Sequence, residues 1–196
     1  DVIVALGGGS TMDCSKVIAA GALYDGDPWD MIFHGQEKVY IPKKALPVIT
    51  VPTLAATGSE MDAGAVISNA DTKEKSFVEN EVLFPKVAVV DPTLTLTVPK
   101  NQTGYGICDI IVHITESYFN GVDGTPLQDA QALETIKNCI HYGLKAYENG
   151  QDLEAREHVQ WDSIVALNGF ISCGTHGAFP VHMIEHTVSG IHDITH

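Results

Sequence analysis

Residues that bind metals recur four apart in this chain: Asp109 with His113, His182 with His186, and His192 with His196. On a helix an i,i+4 pair projects from one face. Five of the nine histidines fall between His176 and His196. Neutral imidazoles together with a carboxylate suit Zn²⁺ or Fe²⁺, so three such pairs point to a metal site. His182 and His196 lie 14 positions apart. That separation is roughly 21 Å along one unbroken helix. Both reach one ion only if the chain breaks between them, and Ser189-Gly190 and Asp193 offer the break. Spacing alone leaves open which histidines are ligands.

A second reading overlaps this region. His182-Met183-Ile184-Glu185-His186 matches H-x-x-E-H, the inverted zinc-peptidase signature, in which two histidines bind zinc and Glu185 activates water. That reading leaves the first glycine turn and the Asp109/His113 pair without work. A non-catalytic metal-binding helical protein is a third alternative; it would take up metal and no organic cofactor.

The glycine turn is Gly7-Gly8-Gly9-Ser10-Thr11-Met12-Asp13, directly after the apolar run Val2–Leu6. Glycines there let backbone approach a ligand, and the N-terminus of the following helix offers free N–H groups to a phosphate. Ser10 and Asp13 read as an N-cap and its capping-box partner. The spacing is not that of the usual dinucleotide fingerprint, and a plain strand-to-helix turn is the competing interpretation. A second hydroxyl-rich stretch, Thr53 to Glu60, follows the run Val48–Val51. Open α/β sheets bind ligands at such strand ends, although a polar loop has the same composition.

These turns need elements to hold them. Short apolar runs at Val2–Leu6, Val48–Val51 and Val87–Val90, with helical pattern between, predict a parallel sheet buried on both faces. Asp25 to Lys44 carries turn signals and reads as loop. From Asn101 on, the periodicity is helical: Gly106–Phe119, Leu127–Tyr147, Leu153–Ile171 and Val181–Ser189. We therefore expect an α/β domain over 1–100 and an all-α domain over 101–196.

Of the 196 residues, 44% are hydrophobic and 18% charged, with a net charge of −14. This suits a globular protein with a core and argues against a nucleic-acid partner. No apolar run approaches the roughly 20 residues that a membrane span needs. The four cysteines form no C-x-x-C pair, so reduced thiols and a cytoplasmic location are expected. The chain opens on a buried-strand pattern and stops inside a patterned segment, and it reads as the central part of a longer protein. An uncovered sheet edge would then favour association of the isolated chain.

Four stretches taken together, GGGSTMDCSK, TLAATGSEMD, DPTLTLTVPKNQT leading into CDIIVHITESY, and HMIEHTVSGIHDITH, resemble the iron-containing alcohol dehydrogenases in order and spacing, over essentially the whole chain. DCSKVIAAGALYDGDPWDM and TVPKNQT look most like the butanol dehydrogenase branch. The resemblance implies an α/β nucleotide-binding domain and a helical domain of the dehydroquinate synthase-like type, with NAD or NADP and Fe²⁺ (or Zn²⁺) as cofactors. It implies that a primary alcohol and its aldehyde are interconverted by metal-assisted hydride transfer, in a homodimer at full length. The implied metal ligands are Asp109, His113, His182 and His196, with His186 near the reacting groups as a proton relay or a packing residue. Gly8, Gly9, Ser10 and Asp13 match the pyrophosphate turn, and Thr53, Leu54, Thr57 and Ser59 the second cofactor loop. Lys75, Leu94 and Thr97 match further cofactor-side positions. His34, His141, His158 and His176 carry no expected role. Glu60 reads as a loop anchor and Glu116 as a helix-face charge.

Overall fold

In the computed structural model the described residues are 1–33, 35, 38–119, 121–175 and 179–196; His34 and His176 lie outside them. The chain divides into two compact units. One comprises Asp1–Val51, Ser59–Val89 and His182–His196, and the other Pro52–Gly58 and Val90–Val181.

The first unit is built on strands β1 (Ile3–Gly7), β2 (Val48–Pro52) and β5 (Val87–Ala88), in the order β1-β2-β5. Strands β2 and β5 run parallel, with Ile49 opposite Val87 and Thr50 opposite Ala88. The runs at Val2–Leu6 and Val48–Val51 form β1 and β2, but of Val87–Val90 only Val87–Ala88 is strand. Nor is the sheet buried on both faces as expected, since Val4, Leu6 and Val87 are exposed while Ala5 and Val48 face the core. Helix α1 (Gly9–Gly21) follows β1 through the glycine turn. One side of α1 packs Met12 and Ala19 with Ala5 and Val48. Another packs Val17 and Ala20 with Met31, Ile32, Ala65, Val78 and Leu83. Strand β1 lies at the sheet's edge, and Val4, Leu6 and Ile18 are exposed.

One element was not foreseen. Gly64–Asn69 (β3) and Glu74–Glu79 (β4) form an antiparallel hairpin pairing Gly64 with Glu79 and Asn69 with Glu74. The Asn69 side chain accepts hydrogen bonds from the N–H groups of Asp71 and Thr72, at 3.0 and 3.2 Å. Lys73 closes the turn at φ 57°. An Asn that bonds its own backbone two residues on was the available signal.

The second unit is helical: α2 (Lys100–Tyr118), α3 (Pro126–Glu148) and α4 (Leu153–Leu167). Its core joins Ile110 and Ile114 of α2 with Ala132, Cys139 and Ala146 of α3 and with Ala155, Val159 and Ala166 of α4. Asp152 caps α4 by accepting the Ala155 N–H at 3.0 Å, the N-cap role that carboxylates fill best. The acidic stretch around α4's start is solvated except for Ala155 and Arg156. The Arg156 guanidinium donates to Gly150 O, Thr103 Oγ1 and Val98 O. The last helix, α5 (Pro180–His192), begins in this unit and continues into the first. Among the described residues no helix is long and apolar enough to cross a membrane.

Candidate functional site

The first unit carries the glycine turn. Gly8 is the N-cap of α1 and makes no side-chain cap bond. The first amide groups of the helix thus keep no side-chain partner, an arrangement ready for a phosphate. Gly9 is buried and Ser10 exposed within the first turn. A side chain at position 7 would place its Cβ 2.5 Å from Thr11 Oγ1, so glycine there is a packing requirement.

The capping box expected of Ser10 and Asp13 is not formed. Asp13 faces inward, where its carboxylate accepts Ser59 Oγ–H at 2.6 Å and the Val66 N–H at 2.9 Å. Three residues on, Lys16 is wholly buried. It donates to Asp62 Oδ1 at 2.7 Å, Asp62 O at 3.1 Å and Gly64 O at 2.8 Å. These bonds moor α1 to the segment 59–66 and fix Ser59. A buried charge is tolerated when it is paired and hydrogen-bonded.

Glu60 lies beside this mooring, 2% exposed. Its Oε1 has no hydrogen-bond partner among the described residues. Burial pushes its carboxyl up to about 7 from 4.5. Because the folded value exceeds the unfolded one, the stabilising neutral form is fully present below about 4.5 and lost as pH rises through about 7. Glu60→Gln is accordingly expected to melt higher than the parent at pH 8, with the gap closing toward pH 4.5; parallel melting curves across that range would refute this.

The second hydroxyl-rich stretch is split between the units. Thr53, Leu54 and Thr57 are half-buried in the second, and Ser59 is buried in the first. Within the second unit the stretch is held tightly. Gly58 has φ 61°, and a Cβ there would lie 2.5 Å from Ser163 O. A Cβ on Gly106 would collide with the Ala55 carbonyl. Leu94 and Thr97 are exposed near the turn Pro92–Thr95, which Asp91 caps through the Thr93 N–H at 3.0 Å.

In the second unit α2 presents Asp109 and His113 on one face, His113 Nδ1 lying 3.7 Å from Asp109 Oδ1. The Phe179 ring meets His113 edge-on at 6.4 Å. One turn on, Glu116 is not the exposed helix-face charge expected: it is 6% exposed. Its carboxylate accepts the Val181 N–H, satisfying one of the orphan donors at the start of α5.

In the first unit, α5 carries His182 and His186, both buried. The helix stops at His192. Asp193 takes φ 51°, a left-handed turn that Asp tolerates, and the chain folds back. Ring centroids then lie at 5.2 Å for His182 and His196, 5.4 Å for His186 and His196, and 6.1 Å for His182 and His186. The break is thus at Asp193; Gly190 stays helical, and it is a glycine that fits there because a Cβ would meet Lys73 O at 2.9 Å. His192 remains on the exposed side. Burial, reinforced by Lys75 and His196, lowers the His186 imidazole to about 4, so it is neutral at physiological pH. Lys75 of β4 reaches Glu185 Oε2, Ser189 Oγ and His196 Nδ1 at 3.3, 2.8 and 3.2 Å.

The two histidines of the second unit with no expected role are packed ones: His158 stacks on Tyr142 at 3.6 Å and His141 meets the same ring edge-on. All four cysteines are free thiols.

A parallel α/β unit with a glycine turn at a helix start, an all-helical part, and histidine and carboxylate donors that could hold a metal ion are the parts that a nucleotide- and metal-using protein needs. Residues 1–92 match the iron-containing alcohol dehydrogenase family, and residues 103–196 match the C-terminal part of the same Fe-containing family. The chain belongs to the iron-containing alcohol dehydrogenases. It is 50% identical to NADH-dependent butanol dehydrogenase A of Clostridium acetobutylicum, over all of this chain and 49% of that protein. It is 36% identical to the NADPH-dependent aldehyde reductase YqhD of Escherichia coli, over 99% of this chain and 50% of that protein. The crystal structure of an NADH-dependent butanol dehydrogenase A from Thermotoga maritima superposes with a TM-score of 0.93 at 42% identity, covering 98% of this chain and 48% of the other. The chain spans about half the length of the curated relatives it matches.

Proposed function

We propose that this chain is part of an enzyme that interconverts a primary alcohol of about butanol's size and its aldehyde, using NAD(H) or NADP(H) and a divalent metal, iron or zinc. The observation that carries the reading is the convergence of the His182, His186 and His196 rings in one unit. His182 and His196, brought this close by the turn at Asp193, suit a shared cation, with His186 beside them. The buried Nε2 of His186 has no hydrogen-bond partner among the described residues, which leaves a polar atom open to a ligand. The names of the relatives, NADH-dependent butanol dehydrogenases and an NADPH-dependent aldehyde reductase, support the reaction class and leave both cofactors in play.

In this reading Asp109, His113, His182 and His196 hold the metal, a donor set of carboxylate and imidazole that suits Fe²⁺ and Zn²⁺. The metal supplies Lewis acidity toward the substrate oxygen, and the nicotinamide supplies the hydride chemistry. Gly8, Gly9 and Ser10 receive the pyrophosphate on open amide groups at the start of α1, while Asp13 holds Ser59 in place. Thr53, Leu54 and Thr57, with Lys75, Leu94 and Thr97, complete the cofactor's surroundings. We take the enzyme to be a homodimer at full length, and cytoplasmic, on its four unpaired cysteines.

His186 is the proton-relay residue in this proposal: its imidazole, neutral at rest, would take the alcohol's proton only in passing and hand it on to solvent, because burial disfavours its charged form. His186→Ala, in a chain completed to the length of its relatives, is expected to lower kcat at pH 7 by about 10²-fold. The deficit should shrink as pH rises and solvent takes the proton. An unchanged pH–rate profile would assign His186 to packing.

The reaction itself is tested by NADH and NADPH oxidation on adding butanal to the completed chain, with Fe²⁺ or Zn²⁺ restored and a chelator control. Metal-dependent consumption supports the dehydrogenase and identifies the cofactor. No consumption with either cofactor across several aldehydes would overturn it.

A further inference from the structure

Glu185 sits between His182 and His186 in sequence but turns to a different neighbour. Its Oε2 is in hydrogen-bond contact with His196 Nδ1. The same oxygen lies 3.3 Å from Lys75 Nζ, which also donates to Ser189 Oγ at 2.8 Å. The side chain is 26% exposed. We infer that Glu185 is a positioning residue for His196: it accepts the Nδ1 proton, fixes that tautomer, and leaves Nε2 as the nitrogen that can bind a metal. This rests on the reading of His196 as a ligand given above.

The physical case is one of roles. An ionised carboxylate has only lone pairs to offer; the Lys75 ammonium, a donor, also lies 3.2 Å from Nδ1, but the Glu185 oxygen is the nearer of the two, and we assign the proton to the ring nitrogen that touches it. Imidazole carries one proton when neutral, and Nε2 is thereby the acceptor. Metal-binding histidines are oriented in this way by a carboxylate on the opposite nitrogen, which also raises their basicity. Lys75 and Ser189 fix the carboxylate in turn. They do so only because α5 lies tight on the hairpin: a Cβ on Gly190 would come within 2.9 Å of Lys73 O and 3.2 Å of Lys75. Glu185, His186 and His196 have ligand atoms close enough for a metal of their own. The Lys75 ammonium, 3.2 Å from His196 Nδ1 and 3.3 Å from Glu185, stands against a second cation there. The H-x-x-E-H glutamate therefore orients a ligand here and does not activate water.

The test uses the completed chain and its Glu185→Gln and Glu185→Leu variants, with Zn²⁺ affinity measured by competition against a chromogenic chelator. We expect Zn²⁺ to bind about 10- to 100-fold more weakly to Glu185→Leu, with Glu185→Gln between it and the parent. In metal-free protein labelled with ¹⁵N-histidine, His196 should be protonated on Nδ1 in the parent and shift toward the Nε2–H form in Glu185→Leu. Unchanged affinity and unchanged tautomer in both variants would overturn the inference. A loss as large as that of His196→Ala would make Glu185 a ligand and overturn it as well. A parent chain that binds no Zn²⁺ would sink the metal-site reading itself, while the tautomer still tests the hydrogen bond. Should Glu185→Leu fail to fold, Glu185→Gln carries both measurements.

Discussion

Replacing His182 with alanine is expected to strip the metal from the completed enzyme and to lower butanal reduction roughly 10³-fold, a barrier increase of about 4 kcal/mol. His182 is 8% exposed, and its ring faces His186 and His196 in the same unit. If it is one of four ligands, its removal leaves the ion one donor short. A catalytic ion that stabilises charge on the substrate oxygen contributes several kcal/mol to the transition state. Metal content by elemental analysis and the rate with NADH are the two measurements. His141→Ala, at an exposed ring that meets Tyr142 edge-on, is the control expected to keep both. Full metal content and a rate within a few-fold of the parent in His182→Ala would remove His182 from the ligand set.

The largest effect on stability is expected at Lys16. Its side chain is 0% exposed, and its three bonds to Asp62 and Gly64 tie α1 to the start of β3. Lys16→Met fills much of the same volume but leaves Asp62 buried without its cation. Breaking one partner of a buried pair costs about 3–5 kcal/mol. Burial already raises the Asp62 carboxyl to about 6 with Lys16 beside it. Losing the lysine moves it further in the same direction, so part of the cost at pH 7 is taken up by protonation. Denaturant unfolding should show the loss, and Asp62→Asn in the Lys16→Met background should recover part of it, because the orphaned charge is then gone. A Lys16→Met variant within about 1 kcal/mol of the parent would show that the pair is solvated or replaceable. Since Asp13 lies on the next turn and holds Ser59 at 2.6 Å, the same variant is also expected to loosen the turn at Gly8–Ser10.

The parts legible from sequence were those decided within a few residues. Strands β1, β2 and β5 announce themselves as short apolar runs stopped by Gly or Pro, and the helices α2 to α5 by their 3.6-residue stripes. The i,i+4 pairs Asp109/His113 and His182/His186 follow from helix geometry; the sequence offers a break before His196 at Ser189-Gly190 or at Asp193, and the helix runs through the first and ends before the second. The hairpin β3–β4 was not seen because Glu74, Lys75 and Glu79 interrupt any apolar signal, and pairing between strands supplies the stability that composition does not show. Asp13 was misread for the opposite reason: its local pattern fits a helix cap, yet its partners Ser59 and Val66 lie 46 and 53 positions away. Glu116 looked like a surface charge until folding brought Val181, 65 positions on, to its carboxylate. Residue type and local spacing determined which groups could do chemistry. Tertiary structure alone decided which are neutral, which are moored and which way an imidazole presents its lone pair, because each of those depends on burial and on partners that sequence distance conceals.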